Sequence, residues 1–173
     1  MHHRNTSTKS AFTLIEILIV VVILGILASI VIPQFSNASL TARENTLRDA
    51  MRYLRTQIAV YRAQHNDCSP GYAAGTSSGA ATEANFEAQM TTYTNETGNA
   101  QATGDAQYKY GPYLSRMPKN PLNNFSTLTI IADGAAMPAA PDGTTAFIYK
   151  PQTQEIIPNV AGNDTSGMPY FSY

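Results

Sequence analysis

The chain has 173 residues, of which 13% are charged, no Trp, and a formal net charge of −1. That near-neutral balance argues against nucleic acid as the main partner, and a single cysteine, Cys68, rules out an intrachain disulfide. About 140 residues follow Pro33, enough for one modest domain.

The first 11 residues hold His2, His3, Arg4 and Lys9 and no acid. Next comes Leu14–Ile32, apolar except for Glu16, Gly25 and Ser29. As a helix, this stretch reaches ~28 Å, close to the ~30 Å hydrocarbon thickness of a bilayer. A secretory signal peptide has a shorter apolar region, about 7–15 residues, closed by a small-residue cleavage site. Here Pro33, Gln34 and Phe35 follow and a helical pattern resumes, so the segment is expected to be kept as a membrane span. Basic residues beside a span stay on the cytoplasmic side, which puts the chain from about residue 34 onward across the membrane. Glu16 then lies inside hydrocarbon, where an ionisable residue implies a function and a partner.

Lys9-Ser10-Ala11 followed by Phe12-Thr13-Leu14-Ile15-Glu16, continuing through Ile23-Leu24-Gly25-Ile26-Leu27-Ala28-Ser29 to Pro33, resembles the cleavage and methylation motif of type IV pilin-like proteins. The resemblance implies cutting between Ala11 and Phe12 by a membrane-embedded prepilin peptidase. It also implies N-methylation of the new amino terminus at Phe12. The family usually has Gly before the cut; this chain has the similarly small Ala11. Such a cut creates an ammonium group four residues from Glu16. In a polymer of staggered helices, Glu16 of one subunit is expected to pair with the terminal amine of a neighbour and set the axial register. The alternative is a Glu that reaches lipid headgroups or water. Gly25 and Pro33 are weak points of the helix, since Gly costs ~1 kcal/mol against Ala and Pro removes a backbone donor. Gly25, Ala28 and Ser29 also permit close helix packing. In the family, the segment between Gly25 and Pro33 can stretch on entering a filament; the alternative is the ordinary tolerance of Gly and Pro in membrane helices.

Residues 34–66 read as a continuation of the helix. Leu40, Leu47, Met51, Leu54, Ile58 and Tyr61 form a narrow apolar stripe, expected to pack on a head domain. Arg48, Arg52, Arg55 and Arg62 form a second stripe. It is read either as a solvated face, with Glu44–Arg48 an ordinary i,i+4 pair, or as a surface for the acidic heads of adjacent subunits. The basic stem contrasts with residues 63–173, where nine Asp/Glu face four Lys/Arg. The helix should end near His65-Asn66-Asp67, before Pro70-Gly71.

Residues 71–107 have loop composition. One short helix is expected within them, capped by Thr82, with Glu83 in its first turn and Phe86, Met90 and Tyr93 on one face. Tyr108, Tyr110 and Tyr113 are expected to cover a small sheet, the alternative being a recognition surface. The stretch from Leu114 through Pro118 and Pro121 to Asn124 resembles the connector before the C-terminal sheet of the major pseudopilin of type II secretion. Strands are expected at 126–132, 144–150 and 155–157, the last two joined by a turn at 151–154, forming a small antiparallel sheet within 125–158. The tail from 159 shows no periodicity.

No nucleophile–base constellation stands out, so an enzyme is not expected. His65 and Cys68 fall short of the ligands a zinc site needs, and no Gly-rich phosphate loop follows a strand. Major pseudopilins of type II secretion commonly bind calcium in an acidic C-terminal loop. The nearest counterpart is residues 162–167, with Asp164 its one carboxylate. No cofactor is expected, and calcium remains open through backbone carbonyls.

The expected fold is α+β and pilin-like: a leader at 1–11, an assembly helix at 12–33, an amphipathic periplasmic helix at 34–66 and a head at 67–173. The resemblance implies a pseudopilus subunit of type II secretion, anchored once in the bacterial inner membrane with its head in the periplasm. Implied partners are copies of itself, other pseudopilins, the prepilin peptidase and methylase, the assembly platform with its ATPase, and membrane lipid before assembly. A type IV pilus subunit for adhesion, twitching or DNA uptake shares the same helix. A membrane-anchored binding protein is the alternative from another class.

Overall fold

The computed structural model describes residues 12–173, apart from the side chains at positions 33, 36 and 37. The expected leader, Ala11 included, lies outside the described residues, as does the side chain of Pro33. Helix α1 runs Leu14–Gln64. The chain divides into two compact units, Met1–Leu40 and Thr41–Tyr173.

In the first unit, the apolar side chains of Leu14–Ile32 have no buried packing partner among the described residues. Every residue of Leu14–Ile32 is exposed. A helix that is hydrophobic all round belongs in lipid or among other helices. Its start is fastened locally. The Glu16 carboxylate accepts from the Thr13 N–H and the Thr13 hydroxyl, both at 2.7 Å, and the Glu16 N–H donates back to Thr13 Oγ1 at 3.3 Å. This reciprocal pairing is a capping box, which satisfies otherwise orphaned donors of the first turn.

The second unit is built on the other half of α1. Leu47, Met51, Leu54, Ile58 and Tyr61 are buried in one core with Phe86, Met90, Phe147, Tyr149 and Ile156. Leu40 departs from the expected stripe, being 40% exposed, whereas Glu44 is only 1% exposed. Helix α1 ends where Asn66 and Asp67 take left-handed φ values of 53° and 62°; Asn and Asp tolerate that region because their short polar side chains bond locally. Helix α2, Glu83–Thr91, begins as expected, with Thr82 Oγ1 accepting from the Asn85 N–H at 3.1 Å. Within the expected loop, β1 (Tyr93–Thr94) and β2 (Ala100–Gln101) also form a short antiparallel hairpin.

The C-terminal sheet corrects one expectation. Its strands are β3 (Leu128–Ile130), β4 (Phe147–Lys150) and β5 (Glu155–Pro158), in the order β3-β4-β5. β4 and β5 pair antiparallel, but β3 and β4 are parallel, so the sheet is mixed rather than antiparallel. The reason is connection length. The turn at 151–154 allows only a hairpin, whereas residues 131–146 are long enough for the crossover that parallel pairing requires.

Of the three tyrosines, Tyr110 and Tyr113 pack on the C-terminal end of the stem. Tyr113 is buried, packs edge-on against Tyr61 at 5.3 Å and donates its hydroxyl to Gln64 Oε1 at 2.6 Å. Tyr110 packs edge-on against His65 at 5.4 Å. His65 itself is buried and stacked on Tyr61, ring centroids 3.8 Å apart. Its Nδ1 lies 2.6 Å from the Tyr61 carbonyl and its Nε2 2.9 Å from Thr94 Oγ1. A carbonyl only accepts, so Nδ1 is the donor and Nε2 is left to accept from the hydroxyl, the pattern of a neutral imidazole. Desolvation pulls the His65 pKa below its ordinary value, outweighing backbone hydrogen bonds that act the other way. Unfolding therefore takes up a proton below about pH 6.5, and stability is lost as pH falls from there through the folded-state pKa. The melting temperature is expected to drop between about pH 7.5 and 5.5, and a His65→Gln variant should show a flatter profile. Parallel profiles for the two proteins would remove His65 as the cause.

Candidate assembly site and the polar clamp on the stem

Two groups of polar side chains stand out against the apolar helix and core, one in each unit. The first is the start of α1. Phe12 is exposed and immediately precedes the capping box of Thr13 and Glu16. Within a single chain the Glu16 carboxylate meets only neutral donors from Thr13, so its charge has no cation beside it among the described residues. The Thr-x-x-Glu spacing of Thr13 and Glu16 is the sequence signal for this arrangement, and it is absent from a reading based on hydropathy alone. At Gly25 an added Cβ would meet nothing within 4 Å. Any packing need for that glycine therefore comes from outside the chain's own fold.

The second group lies on the stem within the head unit, where the solvated-face expectation for the arginine stripe is corrected at three of its four residues. Arg48 pairs with Asp164 of the tail and sits over the Tyr173 ring, 4.7 Å from its centroid. Arg55 donates to the Ile156 carbonyl at 3.0 Å and to the main-chain oxygen of Tyr173. Arg62 donates to the Asp67 carbonyl at 3.0 Å and to Gln154 Oε1 at 2.8 Å. Only Arg52 keeps to a solvated face, 3.5 Å from the equally exposed Asp49. Three of the four arginines are thus occupied within the head.

Glu44 likewise does not form the expected i,i+4 pair. Its carboxylate accepts from the Thr165 N–H at 3.0 Å, the Thr165 hydroxyl at 2.8 Å and the Tyr170 hydroxyl at 3.0 Å. These donors satisfy a buried carboxylate that would otherwise be costly. Asp164 is held by donors on both oxygens. Oδ1 accepts from Ser166 N and Oγ and from Met168 N, and Oδ2 from Arg48 and the Tyr173 hydroxyl. The hydrogen bonds from Ser166 and Tyr173 keep its carboxyl well below the usual carboxylate range. Residues 162–173, aperiodic in sequence, are thereby folded back on the stem around the short 3-10 helix Tyr170–Ser172.

Among the described residues, no three His, Cys, Asp or Glu side chains gather as metal ligands. The structure offers an exposed apolar surface along Leu14–Ile32 and, at its start, a carboxylate bonded to Thr13.

Residues 6–32 match the family model of the prokaryotic N-terminal methylation motif. The chain is 31% identical over 117 residues, 67% of its own length and 67% of the relative's, to the type II secretion system core protein G of Vibrio cholerae. No solved structure shows a significant match.

Proposed function

Because this chain belongs to the pilin-like family of type II secretion system core protein G, we infer that it acts by polymerising into a periplasmic pseudopilus. It is a structural subunit. Subunits wait in the inner membrane with basic residues 1–11 in the cytoplasm and the head in the periplasm. A prepilin peptidase cuts between Ala11 and Phe12, and Phe12 is N-methylated. A platform protein and its ATPase then draw the subunit into a helical filament with other pseudopilins, where Glu16 meets the terminal amine of a neighbour.

One observation carries this reading. The Leu14–Ile32 segment of α1 is apolar around its circumference except at Glu16 and is exposed throughout, and it lies within the match to a methylation motif. A bilayer satisfies such a surface before assembly, and the equivalent helices of other subunits satisfy it afterwards.

Deleting the gene is expected to leave folded exoproteins in the periplasm while surface pili persist. The mass of the subunit from its native host is expected to correspond to a chain starting at methylated Phe12. Loss of surface pili with secretion intact would replace this reading with a type IV pilus. An uncut Met1 terminus would end it.

A further inference from the structure

The tail clamp bears on the calcium that resemblance to major pseudopilins implies for residues 162–167. A calcium ion takes six to eight oxygen ligands, with carboxylates prominent among them. Asp164 is the one carboxylate of this loop. A carboxylate offers about four lone-pair sites, and the Arg48, Tyr173, Ser166 and Met168 donors already occupy both Asp164 oxygens. The nearby Glu44 carboxylate is committed to Thr165 and Tyr170. The Arg48 guanidinium also stands where an incoming cation would be repelled. The donor set therefore does not fit calcium.

We propose that Arg48 is the resident cation of this tail: its guanidinium, fixed to the stem, fastens residues 162–173 where relatives would use a metal, so the head folds independently of calcium. Three features support the assignment. The Asp164 side chain is fully buried, while Arg48 is partly exposed; the cation therefore enters from the stem face and closes over the loop. A planar guanidinium also stacks on an aromatic face, and Arg48 does so on Tyr173, so one side chain holds both ends of the tail. Glu44, one helical turn before Arg48, grips Thr165, the residue next to Asp164. Stem residues at i and i+4 thus bind consecutive tail residues.

The test is thermal unfolding of the full chain in detergent, with calcium or with a calcium chelator, together with digestion by chymotrypsin. The melting temperature of the unchanged protein is expected to be the same in both conditions. Arg48→Gln is expected to lower it by roughly 5–10 °C and to open Tyr170 and Phe171 to cleavage. Arg48→Lys should recover part of the loss, because it restores the charge without the planar stack. A rise in melting temperature with calcium in the unchanged protein would overturn the proposal. So would an Arg48→Gln protein as stable and protease-resistant as the parent. Should Arg48→Gln fail to fold, the comparison of the unchanged protein with and without calcium decides alone.

Discussion

Glu16→Ala subunits are expected to reach the membrane normally and to be absent from filaments. Residues 12–40 contain no Lys, Arg or His, so the carboxylate enters an assembly without a cation from that segment. Thr13 supplies hydrogen bonds but no charge. The amine released at Phe12 is the nearest positive group the proposed processing provides. Stranding one member of a buried ion pair costs on the order of 3–5 kcal/mol. At about 1.4 kcal/mol per tenfold, incorporation should fall at least about 100-fold. The capping box makes Glu16→Gln the decisive control, because Gln also serves at that position of the box. If charge pairing drives assembly, Gln fails as Ala does. If Gln-bearing subunits appear in isolated filaments at the level of the parent, Glu16 is a helix cap and the pairing idea is wrong.

Phe147→Ala should have the largest effect on the head. Phe147 is fully buried and sits in the middle strand, opposite Leu128 on one side and Pro158 on the other. Truncating a buried Phe leaves a cavity as well as lost transfer free energy, about 3–5 kcal/mol in total. Whole domains are stable by only about 5–15 kcal/mol. The urea midpoint should therefore fall sharply with little change in slope. The membrane segment shares no core residue with the head, so insertion should continue while the head becomes prone to proteolysis. An unchanged midpoint would mean that the sheet does not pack as described.

Much of the architecture is readable from local pattern. The apolar length of Leu14–Ile32, the stripe from Leu47 to Tyr61 and the Thr82 cap each depend on residues a few positions apart, and each appears in the structure. The Thr13–Glu16 capping box is equally local, a Thr-x-x-Glu spacing that hydropathy does not register. The arginine stripe was not readable. Its periodicity placed Arg48, Arg55 and Arg62 on one side of the stem, but a solvated face and a clamped face have the same spacing. Their partners Asp164, Ile156 and Gln154 lie about a hundred residues away in the chain.

Glu44 and β3 show the same division. A Glu within an apolar stripe reads locally as a surface residue, and only the tail folded over it supplies Thr165 and Tyr170 as donors. Residues around β3 read as a strand, but the direction of its pairing is a property of the crossover at 131–146. Local pattern was enough for the apolar segment, the helices and the buried faces of α1 and α2, because periodicity and capping are short-range effects of backbone geometry. Which charges are neutralised within the head and how the strands are ordered emerge only once the chain has folded. Those outcomes follow from desolvation and chain closure, which bring together residues that no local pattern links.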